Sequence, residues 1–145
     1  MSEVAATPPG LLARRLGPGT DLREALQSWC RESGIEAAVP VSMVGSLKVA
    51  SIRFAGKDEP AKLEGPFEIV AATGTMGSAG IHVHLMVADS KGRVTGGHLS
   101  AGSLINTTVE VAALDFSGGF RFERRPDART GCYELFPVER SAESE

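Results

Sequence analysis

One short stretch, Gly80-Ile-His-Val-His-Leu-Met-Val-Ala-Asp-Ser-Lys-Gly-Arg-Val-Thr-Gly-Gly-His98, holds all three histidines of the chain. Its pattern leaves few folds open. Ile81, Val83, Leu85 and Val87 alternate with His82, His84 and Met86, and a strand sends alternate side chains to opposite faces. Both imidazoles therefore share one face while the aliphatics fill the other. Asp89-Ser90-Lys91-Gly92 is a turn signal and Arg93-Val94-Thr95 begins a return strand, so the segment is predicted to be a β-hairpin. With a three-residue loop and Gly92 in the left-handed position, Asp89 pairs with Arg93 and His98 falls opposite His84. A loop of different parity would turn His98 away unless Gly96 or Gly97 formed a bulge.

Three imidazoles converging with a further position open suit a first-row divalent cation, of which zinc is the usual occupant. The predicted metal ligands are His82, His84 and His98, with water, Glu68, Glu110 or Cys132 left as candidates for the fourth. Using all three histidines on a metal excludes a Ser-His-Asp or Cys-His nucleophile, which needs a free imidazole. Cys30 and Cys132 are too few and too far apart for a CxxC motif.

The chain has 145 residues, 42% of them hydrophobic, enough for one core and short for two. Its 15 basic and 18 acidic residues give a net charge of -3, without the basic excess of a protein that grips nucleic acid by neutralising phosphates. No apolar run is long enough to span a membrane, and the first residues carry neither a basic leader nor a hydrophobic signal core. A cytoplasmic location is expected, and two cysteines suit a reducing compartment. Asn106-Thr107-Thr108 matches a glycosylation acceptor only incidentally.

Residues 1–10 and 139–145 read as flexible ends, with one domain over 11–138. Leu11 to Leu16 reads as a strand. Asp21 offers an N-cap with Glu24 three residues on, and Leu22, Ala25, Leu26 and Trp29 recur at helical spacing before Gly34 ends the helix. Pro40 demotes Ala37–Val44 from a central strand, and Gly45-Ser46 marks a turn or bulge before a strand from Leu47 to Phe54. Ala55–Glu64 reads as a surface loop, Pro66–Thr75 as a strand carrying Glu68, and Gly74–Gly80 as a glycine-rich turn lacking the lysine of a phosphate loop. Thr107–Phe116 is a β-branched strand with Glu110 in its middle. Two short closing strands, Phe120–Glu123 and Cys132–Val138, flank a polar loop whose arginines, with Arg121, offer the cluster Arg121, Arg124, Arg125 and Arg129 for an anion. One helix amid many strands predicts an α+β fold, a single domain with a curled, mostly antiparallel sheet and a packed helix.

Taken in order, Arg15-Leu16-Gly17-Pro18-Gly19-Thr20-Asp21-Leu22, Gly45-Ser46-Leu47, Leu63-Glu64-Gly65-Pro66-Phe67-Glu68-Ile69, His82-Val83-His84, Gly96-Gly97-His98-Leu99 and Thr107-Thr108-Val109-Glu110 resemble the plants-and-prokaryotes conserved (PPC) domain. The likeness spans Leu11 to Val138. It implies a PPC-like α+β homotrimer, with a metal held by the histidines matching His82, His84 and His98. It also implies a DNA-binding label, drawn chiefly from plant relatives with an AT-hook. This chain has no Arg-Gly-Arg-Pro core; Arg124-Arg125-Pro126-Asp127 is not one.

The functional expectation is a soluble, trimeric, zinc-holding protein in a binding or regulatory role, with itself as partner, a small-molecule or anionic ligand at the metal, and no membrane. DNA enters only if assembly gathers the arginines. The alternative is a zinc enzyme acting on a small oxyacid. In their histidine arrangement alone, the residues are similar to acetolactate decarboxylases, which pair the metal with a glutamate and an arginine. Glu68 or Glu110 and Arg53 or Arg93 are the candidates for those parts.

Overall fold

The computed structural model describes residues 8–140. Among them, chain order runs β1 (Gly10–Leu16), α1 (Leu22–Glu32), β2 (Ala38–Arg53), β3 (Ala61–Gly77), β4 (Gly80–Ala88), β5 (Val94–Leu99), β6 (Leu104–Asp115), β7 (Phe120–Asp127) and β8 (Cys132–Glu139). This is an α+β fold with every strand pairing antiparallel. Of the two expected flexible ends, residues 1–7 and 141–145 lie outside the described residues, whereas Gly10 and Glu139 sit in strands.

The principal sheet has the order β1-β6-β2-β3-β4-β5, and β5 pairs again with β2 through Ile52 with Leu99 and Arg53 with His98. That second pairing curls the sheet until β2, β3, β4 and β5 form a closed ring, which removes the exposed edge of β5 near His98. Helix α1 packs against β3, β4 and β6. Asp21 caps it by accepting from Glu24 N–H at 3.2 Å, and Gly34, at φ +64°, ends it while Ile35 N–H reaches back to the Cys30 carbonyl at 2.9 Å. Leu22, Leu26, Trp29 and Cys30 are buried on the sheet among Leu47, Val83, Leu85, Ile105 and Val109. Ala25, at the margin of that stripe, is half-buried.

Several boundaries differ from the sequence reading. Residues 38–53 form one strand, not two, and Pro40 lies within a strand flanked by β6 and β3. Proline is accommodated because the β2–β6 register shifts between Pro40 and Ser42 and no β3 pairing is made from Val39 to Val44, so no ladder bond from its nitrogen is required. The expected break at Gly45-Ser46 is a bulge, placed by a shift between Gly45 and Leu47. Ala61–Glu64, read as loop, is strand paired to Val49–Ile52. Most of the glycine-rich stretch is strand as well, and only Ser78 and Ala79 turn. Strand β7 runs on through Arg124, Arg125 and Pro126 to Asp127, so the expected arginine loop shrinks to a tight turn.

Burial, reinforced by the charge of Asp115, pushes the Cys30 thiol up to about 11, whereas Cys132 is exposed. At pH 8 a disulfide reagent should therefore modify Cys132 at once and Cys30 only after unfolding. The unfolded chain releases the Cys30 proton near pH 9 and the folded chain near 11, so this group's contribution to stability should decline as pH rises across that window. Urea midpoints at pH 8 and pH 10.5, for the protein and Cys30→Ala, measure that difference.

Candidate metal centre

The β4–β5 hairpin has the register that parity demands. Asp89 N–H donates to the Arg93 carbonyl at 2.9 Å, Gly92 takes φ +77°, and the Asp89 carboxylate accepts from the Lys91 and Arg93 amides at 2.9 and 3.0 Å. These bonds, with the Arg93 guanidinium, hold the Asp89 carboxyl below the usual carboxylate range. The ladder then runs unbroken from Ala88–Val94 to His84–His98, so no bulge at Gly96 or Gly97 is used. These glycines serve a different purpose. A Cβ on Gly97 would stand 2.6 Å from the Arg53 carbonyl oxygen, and one on Gly96 2.5 Å from that of Leu85. Their bare backbones let β5 fit between β4 and β2.

His82 and His84 project from the solvent face of β4, and His98 joins them from β5. Each offers a nitrogen, and the three nitrogens lie within 4.8 Å of one another. The Nε2 atoms of His82 and His84 are 3.2 Å apart, close to the roughly 3.3 Å separating two nitrogens bound tetrahedrally to zinc at about 2.0–2.1 Å. His98 also carries a buried Nδ1 without a hydrogen-bond partner among the described residues, a condition that a buried polar atom rarely tolerates. Burial pushes the His98 ring down to about 4, helped by Arg53, the other two imidazoles and Arg23. His82 is lowered as well, by burial first, then His84 and Arg124, against an opposing pull from Glu134. Both shifts favour the neutral ring, the form in which imidazole ligates. The donor set fits a divalent transition metal.

The histidine group includes none of Glu68, Glu110 or Cys132. Glu68 pairs with Ala88 at the far end of β4, and Glu110 pairs with Arg15 across β1–β6. Cys132 lines the cleft beside His82 and His98. Of the two candidate cations, Arg53 is at the site and Arg93 is spent on Asp89 in the turn. Sequence reasoning missed Glu134 and Arg23, which line the same cleft.

The β7–β8 hairpin forms the outer wall and divides the arginine cluster. Arg121 and Arg125 point outward and both bind Glu123, and Arg129 binds Asp127. Arg124, on the opposite face of β7, turns inward and donates to Thr75 Oγ1 at 3.0 Å. The alternation in Phe120-Arg-Phe-Glu-Arg-Arg carried that signal, since a strand here puts Arg124 on the face of Phe122. Upstream, Gln27 on α1 donates to the Gly77 carbonyl at 3.1 Å, tying the helix to the turn that delivers His82.

Comparison with known proteins agrees with this architecture. The family profile described as the Plants and Prokaryotes Conserved (PCC) domain matches residues 7–117. This chain belongs to that family. Among solved structures, the PCC domain described here is similar to a hypothetical protein of Salmonella cholerae-suis, with TM-score 0.88 and 31% identity over 97% of this chain and 100% of the other. It is also similar to a metal-containing protein from Archaeoglobus fulgidus, with TM-score 0.73 and 29% identity, covering 94% of this chain and 99% of that one. A Bacteroides thetaiotaomicron protein provisionally assigned to DNA binding shares the fold, with TM-score 0.76 and 21% identity over 93% of this chain and 94% of the other. The bifunctional protein GlmU of a Synechococcus strain is 43% identical over 130 residues, 90% of this chain but 21% of its own length. The PCC chain thus spans about a fifth of the length of the curated relatives it matches.

Gly97→Ala should destabilise the fold by about 1–3 kcal/mol, the usual cost of forcing atoms into a packed site, because the added methyl collides with the backbone of β2. Urea denaturation measures it, and an unchanged midpoint would contradict the close approach of β5 to β2.

Proposed function

We propose that this PCC domain binds a divalent transition metal, zinc foremost, on His82, His84 and His98, and acts as a homotrimer in a binding or regulatory role. The observation that carries the reading is the convergence of three imidazole nitrogens within 4.8 Å on one sheet face. The neutral state of His98 and its unpartnered buried nitrogen add to it, as does the likeness to a metal-containing archaeal protein. A divalent ion held by His82, His84 and His98 would supply Lewis acidity toward an oxygen ligand. A regulatory role suits a domain whose curated relatives are about five times longer and bifunctional. The trimer rests on the family resemblance, and the exposed apolar residues Val70, Met86 and Val94 leave surface to be covered.

The alternative, a zinc enzyme acting on a small oxyacid, would draw its carboxylate from Glu134 rather than from Glu68 or Glu110. A DNA partner is supported by likeness of fold. The local pairing of Arg121, Arg125 and Arg129 leaves less free positive charge for it. Among the described residues, no helix is long and apolar enough to cross a membrane.

Elemental analysis after purification with zinc should find about one metal per chain, and His84→Ala should lose most of it, because zinc sites ordinarily use three or four protein ligands and the variant keeps two of these imidazoles. Equal, low metal in both proteins would remove the reading. Light scattering should give a particle of three times the chain mass; a monomer in dilute solution would refute the assembly.

A further inference from the structure

The three imidazoles stand between two arginines that, among the described residues, make no ion pair. Arg53 pairs with His98 across β2–β5, and its Nη1 donates only to the Lys57 carbonyl, at 3.2 Å. Arg124 comes from the other side, where Thr75 pairs with His82. Both arginines are half-buried and line one cleft of about 440 Å³ with His82, His98 and Glu134. Among the described residues, no ion pair engages Arg53, Arg124 or Glu134. Arg23, also on the wall, is partly occupied by Glu24 at 3.6 Å. The cleft therefore carries two unpaired guanidinium groups against one carboxylate, and burial lowers the Arg124 pKa with only Glu134 opposing.

Half-buried guanidinium groups are costly to leave without an anion, and their planar forks match carboxylate and phosphate oxygens. Every neighbouring arginine on β7 and its turn has been given an acidic partner, Glu123 or Asp127; the inward one has not. We propose that the cleft between the histidine face and the β7–β8 hairpin binds a small oxyanion, carboxylate or phosphate in character, held by Arg53 and Arg124 with an oxygen directed at the three imidazoles. This rests on the metal reading for the oxygen's destination, but the two arginines define the site by themselves. A cleft of this size holds a small organic acid or a phosphate ester and not an extended polymer.

The test uses the 145-residue chain loaded with cobalt, whose visible spectrum reports an added ligand, and the same chain free of metal. Inorganic phosphate and malonate are titrated separately, by spectrum for the first and by calorimetry for both, and the preferred probe tells phosphate from carboxylate chemistry. Expected is saturable binding of at least one probe, weakened by about tenfold or more in Arg124→Gln and in Arg53→Gln, as for loss of a charge-assisted hydrogen bond. Arg121→Gln, on the outer face of the hairpin, should bind as the parent does. The proposal is overturned if neither probe binds to either form, or if both cleft variants bind as tightly as the parent. Failure to take up cobalt, with anion binding intact in metal-free protein, would instead overturn the metal reading and leave the anion site standing. Circular dichroism of each variant separates loss of the site from loss of the fold.

Discussion

The two-residue period of a β-strand is the constraint on which the site depends. His82 and His84 share a face by sequence alone, but His98 reaches that face only because the Asp89–Arg93 turn fixes an even register between β4 and β5. The turn is pinned by the Asp89 carboxylate, which accepts from the Lys91 and Arg93 backbone amides and from the Arg93 guanidinium, and by the positive φ of Gly92. Those local bonds decide the chemistry several residues away. A slip of one position would exchange His98 for Gly97 or Leu99 and put an aliphatic side chain in solvent.

Closure of the sheet adds what local register cannot. By pairing with β2 as well as β4, β5 places Arg53 beside His98, and burial, helped by this cation, keeps the ring neutral. Small residues make it possible: Gly96 and Gly97 permit backbone approaches that a methyl group would block. The helix contributes at a distance, since Gln27 holds the Gly77 carbonyl and so steadies the turn from β3 into β4. Core, closure and candidate centre are thus one connected arrangement.

Features governed by neighbours in sequence were legible before any coordinates. The Asp21 cap, the Gly34 terminus, the hairpin loop and the facing of the histidines all follow from residues a few positions apart. Features governed by distant pairing were not. Pro40 argued against an interior strand, but a bulge and a local gap in the β3 ladder accommodate it. Ala61–Glu64 has the polarity of a loop, and its strand conformation comes from pairing with Val49–Ile52. Glu134 and Arg23 could not be placed from sequence, since no motif brings β8 or α1 to the histidines. The arginine cluster is visible as composition, and the alternation within β7 then sets Arg124 on the inward face.

Among the described residues, the β7–β8 hairpin pairs only with itself as a sheet and meets the rest of the chain through a few bonds, among them Phe122 N–H to the Glu36 carbonyl and Arg124 to Thr75, with Arg140 just past β8 bound to Glu36. It also lies wholly beyond residue 117, where the family match ends. Its inner face, with Arg124, and Glu134 of β8 line the histidine cleft, so the wall of that cleft and the strands that carry the imidazoles belong to separate sheets.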